Sequence, residues 1–279
     1  MKNILGIIAS PRRLGNCEIM VKEISRHIPE PHKLHLLRLS DFHIKPCRGC
    51  YLCLFKKQRC VLRDDLTTII DALANADGLI LACPTYFLGP NSTLKRLLDR
   101  GMTFYAHVER LWGKPAVGIG ISGIAGKEGY TLLGIESFLN LILADIKECT
   151  IVTGALPGEV FLNDRNAEVA ARLGKSLFGP TLEKKTPTCP VCGGSTFRFL
   201  SKNDIRCMLC SNTGTIAIKA GNPIFQIKKD EHGLFLSKQE ALEHREWLRG
   251  EVQRYQEQKD RLKEIRSRYD ENDHWIKPS

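Results

Sequence analysis

The sequence predicts an α/β protein: a five-stranded parallel sheet with helices on both faces, then a small cysteine-bearing β module and a C-terminal helix. Three observations carry this. Short runs of Ile, Leu and Val alternate with amphipathic stretches over residues 1–180, two Cys-x2-Cys pairs fall within 189–210, and the chain is charged and helical beyond 238.

Taken in order, the predicted strands are Asn3–Ala9, Lys33–Leu39, Gly78–Ala82, Ala116–Ile121 and Thr150–Thr153. Each is short and rich in Ile, Leu or Val, as expected of buried strands in a parallel sheet. The predicted helices between and after them are Asn16–His27, Asp64–Ala76, Ser92–Phe104, Glu128–Ala144 and Ala167–Phe178. Five strands suit a flavodoxin-like order, which places a ligand crevice beyond the carboxyl ends of the strands. Phe178-Gly179-Pro180 and Glu183–Pro187 read as a linker, so the expected units are 1–182, 186–222 and 223–279.

Three loops fall at the expected crevice. Ser10-Pro11-Arg12-Arg13-Leu14-Gly15-Asn16-Cys17 leads from the first strand into the first helix, and offers a phosphate the positive helix end, a hydroxyl and a guanidinium. Ser10, Arg12 and Asn16 are its candidate ligands, against the alternative of an ordinary loop with an Asn N-cap. Pro84-Thr85-Tyr86-Phe87, after the third strand, offers an aromatic to cover a flat ring. Ser122–Lys127, after the fourth, has glycines that permit close backbone approach. The absence of G-x-G-x-x-G argues against a dinucleotide fold.

Ser-Pro-Arg-x-x-Gly-Asn after the first strand, with Pro-Thr-Tyr-Phe after the third, resembles the NAD(P)H-dependent FMN reductase superfamily over about the first 180 residues. The resemblance implies FMN as cofactor, NAD(P)H as a possible substrate, and cofactor contacts from Ser10, Arg12, Gly15, Asn16, Cys17, Pro84, Thr85, Tyr86, Phe87, Ser122 and Gly126. Cys17 stands where the family usually has Thr or Ser.

Eleven cysteines are present, eight of them in two groups. With no secretion signal read at Met1–Ala9, grouped cysteines imply metal ligands in a reducing compartment, here the cytoplasm. Cys47-x2-Cys50-x2-Cys53-x6-Cys60 has the spacing of a [4Fe–4S] ligand set, whereas zinc usually takes two separated Cys-x2-Cys knuckles. Lys45, Arg48, Lys56, Lys57 and Arg59 surround these ligands and would raise the cluster potential. This group, placed after the second strand, resembles the iron–sulfur flavoproteins of anaerobic microbes. That implies a homodimer or tetramer, electron exchange between cluster and FMN, and ferredoxin-like donors or a small-molecule acceptor. Flavin chemistry of this kind needs no nucleophile–base pair, so no catalytic side chain is expected.

Cys189, Cys192, Cys207 and Cys210 form two knuckles separated by about 14 residues, the spacing of a zinc ribbon. Strands are expected at Phe197–Leu200, Asp204–Arg206 and Gly214–Lys219. Structural zinc is the first reading and a rubredoxin-like Fe(Cys)4 site the alternative. Rubredoxins typically have glycine after both knuckles, but Ser211 follows Cys210 here.

Cys17, Cys83 and Cys149 stand alone and read as small apolar fillers. Leu248, Val252, Tyr255, Leu262 and Ile265 fall on one face of the terminal helix, which serves packing and self-association equally well. No run of 18 apolar residues predicts a membrane span. The net charge of +10 is dispersed, which favours anionic nucleotides or acidic carriers over nucleic acid. Two rival functions follow: a plain FMN or quinone reductase with structural zinc sites, and a flavin-linked nucleic-acid-binding regulator.

Overall fold

The structure is a computed structural model that describes residues 1–55, 59–181, 186–270 and 276. The expected charges Lys56 and Lys57, and residues 183–185 of the expected linker, lie outside the described residues. Five parallel strands, β1 (Lys2–Ile8), β2 (His32–Arg38), β3 (Gly78–Tyr86), β5 (Pro115–Ser122) and β6 (Asp145–Thr153), are ordered β2-β1-β3-β5-β6. A two-residue strand, β4 (Gly89–Pro90), folds back antiparallel on the end of β3.

The runs rich in Ile, Leu and Val are explained by cover on both faces. On one face Ile4, Ile8, Ile80, Ala82, Val117 and Ile119 pack against α1 (Asn16–Arg26) and α7 (Asp164–Ser176). On the other, Leu5, Ile7, Leu79 and Leu81 meet α2 (Leu66–Asn75), α4 (Gly101–Ala106) and α6 (Thr131–Leu141). Successive strand residues thus alternate between two cores. At Gly6 an added Cβ would lie 2.4 Å from Val21 Cγ1, so glycine lets α1 sit close on β1.

Two elements depart from expectation in ways that matter for function. The helix expected over Ser92–Phe104 is broken into α3 (Ser92–Leu98) and α4, with the turn at Asp99 and Arg100. Arg100 is 1 % exposed, and its side chain is drawn inward to Asp64; Gly101 admits Leu141, whose Cδ2 would lie 2.8 Å from an added Cβ. A further turn of helix, α5 (Val108–Leu111), follows. The strand expected at Thr150–Thr153 begins at Asp145, because an edge strand with one neighbour tolerates the charged residues Lys147 and Glu148.

The cysteine module is a four-stranded antiparallel sheet, β10-β9-β8-β7, from β7 (Phe197–Phe199), β8 (Asp204–Cys207), β9 (Thr213–Lys219) and β10 (Asn222–Ile227). The boundary expected at 222 therefore moves past Ile227. β9 and β10 are joined by Ala220 and Gly221, both with positive φ, the hairpin geometry that matches strand twist. Pro223 hides β10 in the sequence, yet it is tolerated because β10 is an edge.

The terminal helix α8 (Lys238–Ser267) packs its first turns, through Ala241 and Leu248, against Cys53, Leu54, Tyr105 and Val108. Val252, Tyr255 and Ile265 remain exposed along its outer half. Among the described residues no helix is long and apolar enough to cross a membrane.

Candidate cofactor crevice and cysteine sites

A cavity of about 190 Å³ opens at the carboxyl ends of β1, β3, β5 and β6, lined by Ser10, Arg12, Asn16, Cys17, Pro84, Thr85, Tyr86, Ile121, Gly123, Gly154 and Ala155. It lies where the strand order reverses between β1 and β3, the usual position of a ligand on such a sheet. The first-turn N–H groups of α1 have no helical carbonyl above them and form the positive end of the site. Arg12 Nη1 donates to Ala155 O at 3.2 Å, and Ser10 Oγ accepts from Arg12 N at 3.3 Å.

Seven of the expected cofactor residues come together here: Ser10, Arg12, Asn16, Cys17, Pro84, Thr85 and Tyr86. Asn16 serves differently from expectation. Its amide donates to Gly154 O and accepts from Gly158 N, both at 2.9 Å, and so straps the loop after β6 to the start of α1. Thr85 Oγ1 donates to Thr131 Oγ1 at 2.9 Å and fixes the end of β3 on α6.

Four expected residues do not line the cavity. Phe87 adopts a left-handed backbone (φ 47°) and turns out into solvent. Ser122 is buried and donates to Ile124 O at 2.7 Å, which closes its own loop. Gly126 lies on the surface with open space around it, and Gly15 N-caps α1, packed against Arg12. Gly123 lines the cavity from the expected third loop, while Ile121, Gly154 and Ala155 carry no signal in the sequence. The last two follow a strand whose start the sequence conceals.

Cys17 and Cys83 are buried side by side under this cavity. Burial pushes both thiols up, Cys83 to about 12, with Cys83 adding to the rise at Cys17. Neither is a ready thiolate, as their reading as apolar fillers requires.

The loop between β2 and α2 carries the first cysteine group. Cys47 and Cys50 are exposed, Cys53 is buried beneath α8, and Cys60 is intermediate. Burial pushes the Cys53 thiol up; Thr103, by hydrogen bonding, opposes the rise, and the proximity of Cys60 and Cys50 adds to it. These sulfurs do not converge as those of the ribbon do. Among the described residues, Cys189, Cys192, Cys207 and Cys210 are the group whose donor atoms all lie within 4.8 Å of one another. One ion bonded at about 2.3 Å to each thiolate demands that closeness. In a cubane each thiolate binds a different iron, so the ligands stand wider apart.

The ribbon site is preformed by its backbone. Cys189 and Cys210 sulfurs are 3.9 Å apart, and those of Cys192 and Cys207 are 3.5 Å apart. Gly193 N donates to Cys189 O and Cys189 N to Gly194 O, each at 2.8 Å, while Ser211 N donates to Cys207 O at 2.9 Å. Gly193 (φ 71°) and Ser211 (φ 62°) adopt the same left-handed conformation. Serine therefore makes the turn that glycine makes in the first knuckle, and its presence does not weigh against either metal. All eleven cysteines are free of disulfides.

A doubly wound sheet with this crevice defines a flavodoxin-like oxidoreductase of the FMN reductase class. The family described as NADPH-dependent FMN reductase matches residues 2–135. An iron–sulfur flavoprotein of Methanocaldococcus jannaschii is 31% identical over 186 residues, which cover 62% of this chain and 94% of that protein. One from Archaeoglobus fulgidus is 32% identical over 184 residues, covering 62% and 77%. The chain belongs to the iron–sulfur flavoprotein family. A solved flavone reductase, 16% identical, superposes with a TM-score of 0.74 over 99% of this chain and 100% of its own, so the architecture recurs along the full length.

Proposed function

We propose that this chain is an iron–sulfur flavoprotein oxidoreductase that passes electrons between an external carrier or small acceptor, a [4Fe–4S] cluster and FMN. FMN, when bound, supplies one- and two-electron chemistry, and the cluster supplies single-electron steps. In this reading Ser10, Arg12 and the first turn of α1 bind the phosphate, while Pro84, Thr85 and Tyr86 border the ring. Asn16 holds the loop at Gly154–Gly158 in place, so the phosphate is met chiefly by backbone N–H groups and Arg12. Cys47, Cys50, Cys53 and Cys60 hold the cluster, and Cys189, Cys192, Cys207 and Cys210 hold a structural zinc. A closed, knuckled set of this kind needs no redox role.

The observation that carries the reading is the pairing of a crevice at the sheet switch point with a thiolate loop that leaves the adjoining strand β2. Tyr86, Phe87, Leu88, Ile124, Tyr130 and Leu156 form an exposed apolar rim beside the crevice. A second copy of the chain is its proposed cover, since monomers rarely expose such a patch. Light scattering would read a dimer or larger, and Phe87→Asp would lower the mass; a monomer throughout would sink the assembly.

Anaerobic purification tests the redox reading. The expected result is about four irons, one FMN and one zinc per chain, with absorption near 400 nm bleached by dithionite. Iron content and the 400 nm band should be lost in Cys50→Ser, with zinc and FMN retained. Zinc in place of iron at the early cysteines would refute the cluster assignment and leave a plain flavin reductase.

A further inference from the structure

The turn that breaks the α3–α4 helix points into the neck of the early cysteine loop. Arg100 Nη1 donates to Lys45 O at 2.8 Å and to Asp64 Oδ2 at 2.5 Å. Lys45 precedes Cys47 and Asp64 follows Cys60, so one guanidinium joins the two ends of the segment that carries all four thiolates. Asp64 completes the clasp, accepting from Lys45 N at 3.0 Å and from Leu66 N at 3.3 Å. The side chains of Arg100 and Asp64 are each 1 % exposed.

This is more than a loop closure needs. Arg100 Nη2 is buried and has no hydrogen-bond partner among the described residues. A buried guanidinium N–H without a partner is costly, and a sulfur ligand bearing negative charge would satisfy it. Cys60 lies close enough to act electrostatically on that guanidinium. One turn along, Thr103 lies 3 % exposed, where α4 packs on the short helical turn Leu52–Leu54 that contains Cys53, and it shares a small cavity with Cys60.

From this geometry we infer that Arg100 and Thr103 are the positioning residues of the thiolate loop: Arg100 clasps its neck and, once the inorganic group is bound, donates through Nη2 to the Cys60 sulfur, while Thr103 donates its hydroxyl to the Cys53 sulfur. The inference rests on the cluster reading above. Hydrogen bonds to ligand sulfurs stabilise the reduced, more negative state, so both residues raise the reduction potential of the bound group.

The test uses full-length protein, prepared anaerobically, as wild type, Arg100→Lys and Thr103→Val, each with FMN and zinc content measured as controls of folding. Thr103→Val should keep its iron and shift the cluster midpoint potential downward by roughly tenfold in the reduction equilibrium, about 59 mV for a one-electron couple. Arg100→Lys keeps the charge but cannot span three partners, so iron content should fall several-fold. In metal-free protein its Cys60 should alkylate several-fold faster, with faster amide exchange over residues 45–65. Wild-type potential in Thr103→Val would overturn the role of the hydroxyl. Wild-type iron content and alkylation in Arg100→Lys would overturn the clasp. Were the wild type to hold no iron, the cluster reading would fail, while alkylation and exchange in the metal-free chain would still decide on Arg100.

Discussion

The two cysteine sites are built on opposite plans. In the ribbon, each pair of ligands sits on a knuckle whose own N–H groups and left-handed residues, Gly193 and Ser211, aim the sulfurs inward. The site is made locally, by residues two or three apart. In the early loop Cys53 sits on a single helical turn and Cys47, Cys50 and Cys60 on irregular backbone, two of the four are exposed, and order is imposed from outside, by Arg100 and Asp64 at the neck and by α8 above. A site for one ion can be written in short-range sequence. A cysteine loop of the second kind depends on contacts from remote parts of the chain.

The sharpest way to break this comparison is to remove the ribbon metal. Cys189, Ile205, Cys207, Leu209, Cys210 and Ile227 are nearly its whole buried core. If the ribbon holds the proposed zinc, a module this small should fold on metal binding, worth on the order of 10 kcal/mol. Chelation, or Cys207→Ser, should abolish amide protection over residues 189–227 while the parallel sheet keeps its own. Protection that survives the loss of metal would mean the ribbon is held by packing on the rest of the chain.

The next effect belongs to the early loop. Asp64→Asn would leave Arg100 charged, buried and without its counter-ion, a loss of about 3–5 kcal/mol in urea unfolding. Its pH dependence has a definite sign. Burial works to raise the Asp64 carboxyl, but the Arg100 hydrogen bond and the N–H groups of Lys45 and Leu66 outweigh it and hold the group below the usual carboxylate range. A depressed carboxyl contributes stability above its unfolded pKa of about 3.9, and that stability is lost as pH falls through the lower folded value. Wild type should therefore lose stability more steeply than Asp64→Asn below about pH 4. Parallel curves would show that the pair contributes nothing through its charge.

How much of this was legible in the sequence follows the same division. Strands such as Ile4–Ile8 and Leu79–Ala82 announce themselves because burial on two faces needs unbroken apolar runs. The ribbon ligands announce themselves because a knuckle is a local geometry. Arg100 and Asp64 stand 36 residues apart and carry no motif, and an arginine inside an amphipathic stretch reads as surface. Phe87 was assigned to the crevice because an aromatic beside Pro-Thr-Tyr suits a flat ring. The antiparallel return of β4 turns the chain over, and the side chain leaves the site. β10 was hidden by Pro223, since the edge position that tolerates proline is a property of the assembled sheet.

A smaller effect tests whether the two sites communicate. Arg249 on α8 donates to Leu54 O through Nε at 3.1 Å and Nη2 at 2.9 Å, next to Cys53. Arg249→Met keeps much of the packing stem and leaves that carbonyl unpaired, a loss of about 1–3 kcal/mol. Amide exchange at residues 50–55 should quicken, with residues 189–210 unchanged. Unchanged exchange at both would show that α8 merely rests on the loop.

The smallest effect asks what seats α8. Ser237 caps the helix, its side chain accepting from Glu240 N at 3.2 Å, and Glu240 accepts in turn from Leu236 N at 3.1 Å. Glu240 also pairs with Lys229, two residues beyond β10, so this first turn joins the ribbon to the helix that covers Cys53. Ser237→Ala should cost about 1 kcal/mol, read as a fall in Tm of several degrees at most. The informative comparison is the same substitution in chelated protein. If the ribbon holds the cap in place through Lys229, the cost should shrink once the metal is gone, because the first turn is already frayed. An equal cost with and without metal would mean that α8 docks on α4 and α5 by itself, and that the early cysteine loop is ordered independently of the ribbon.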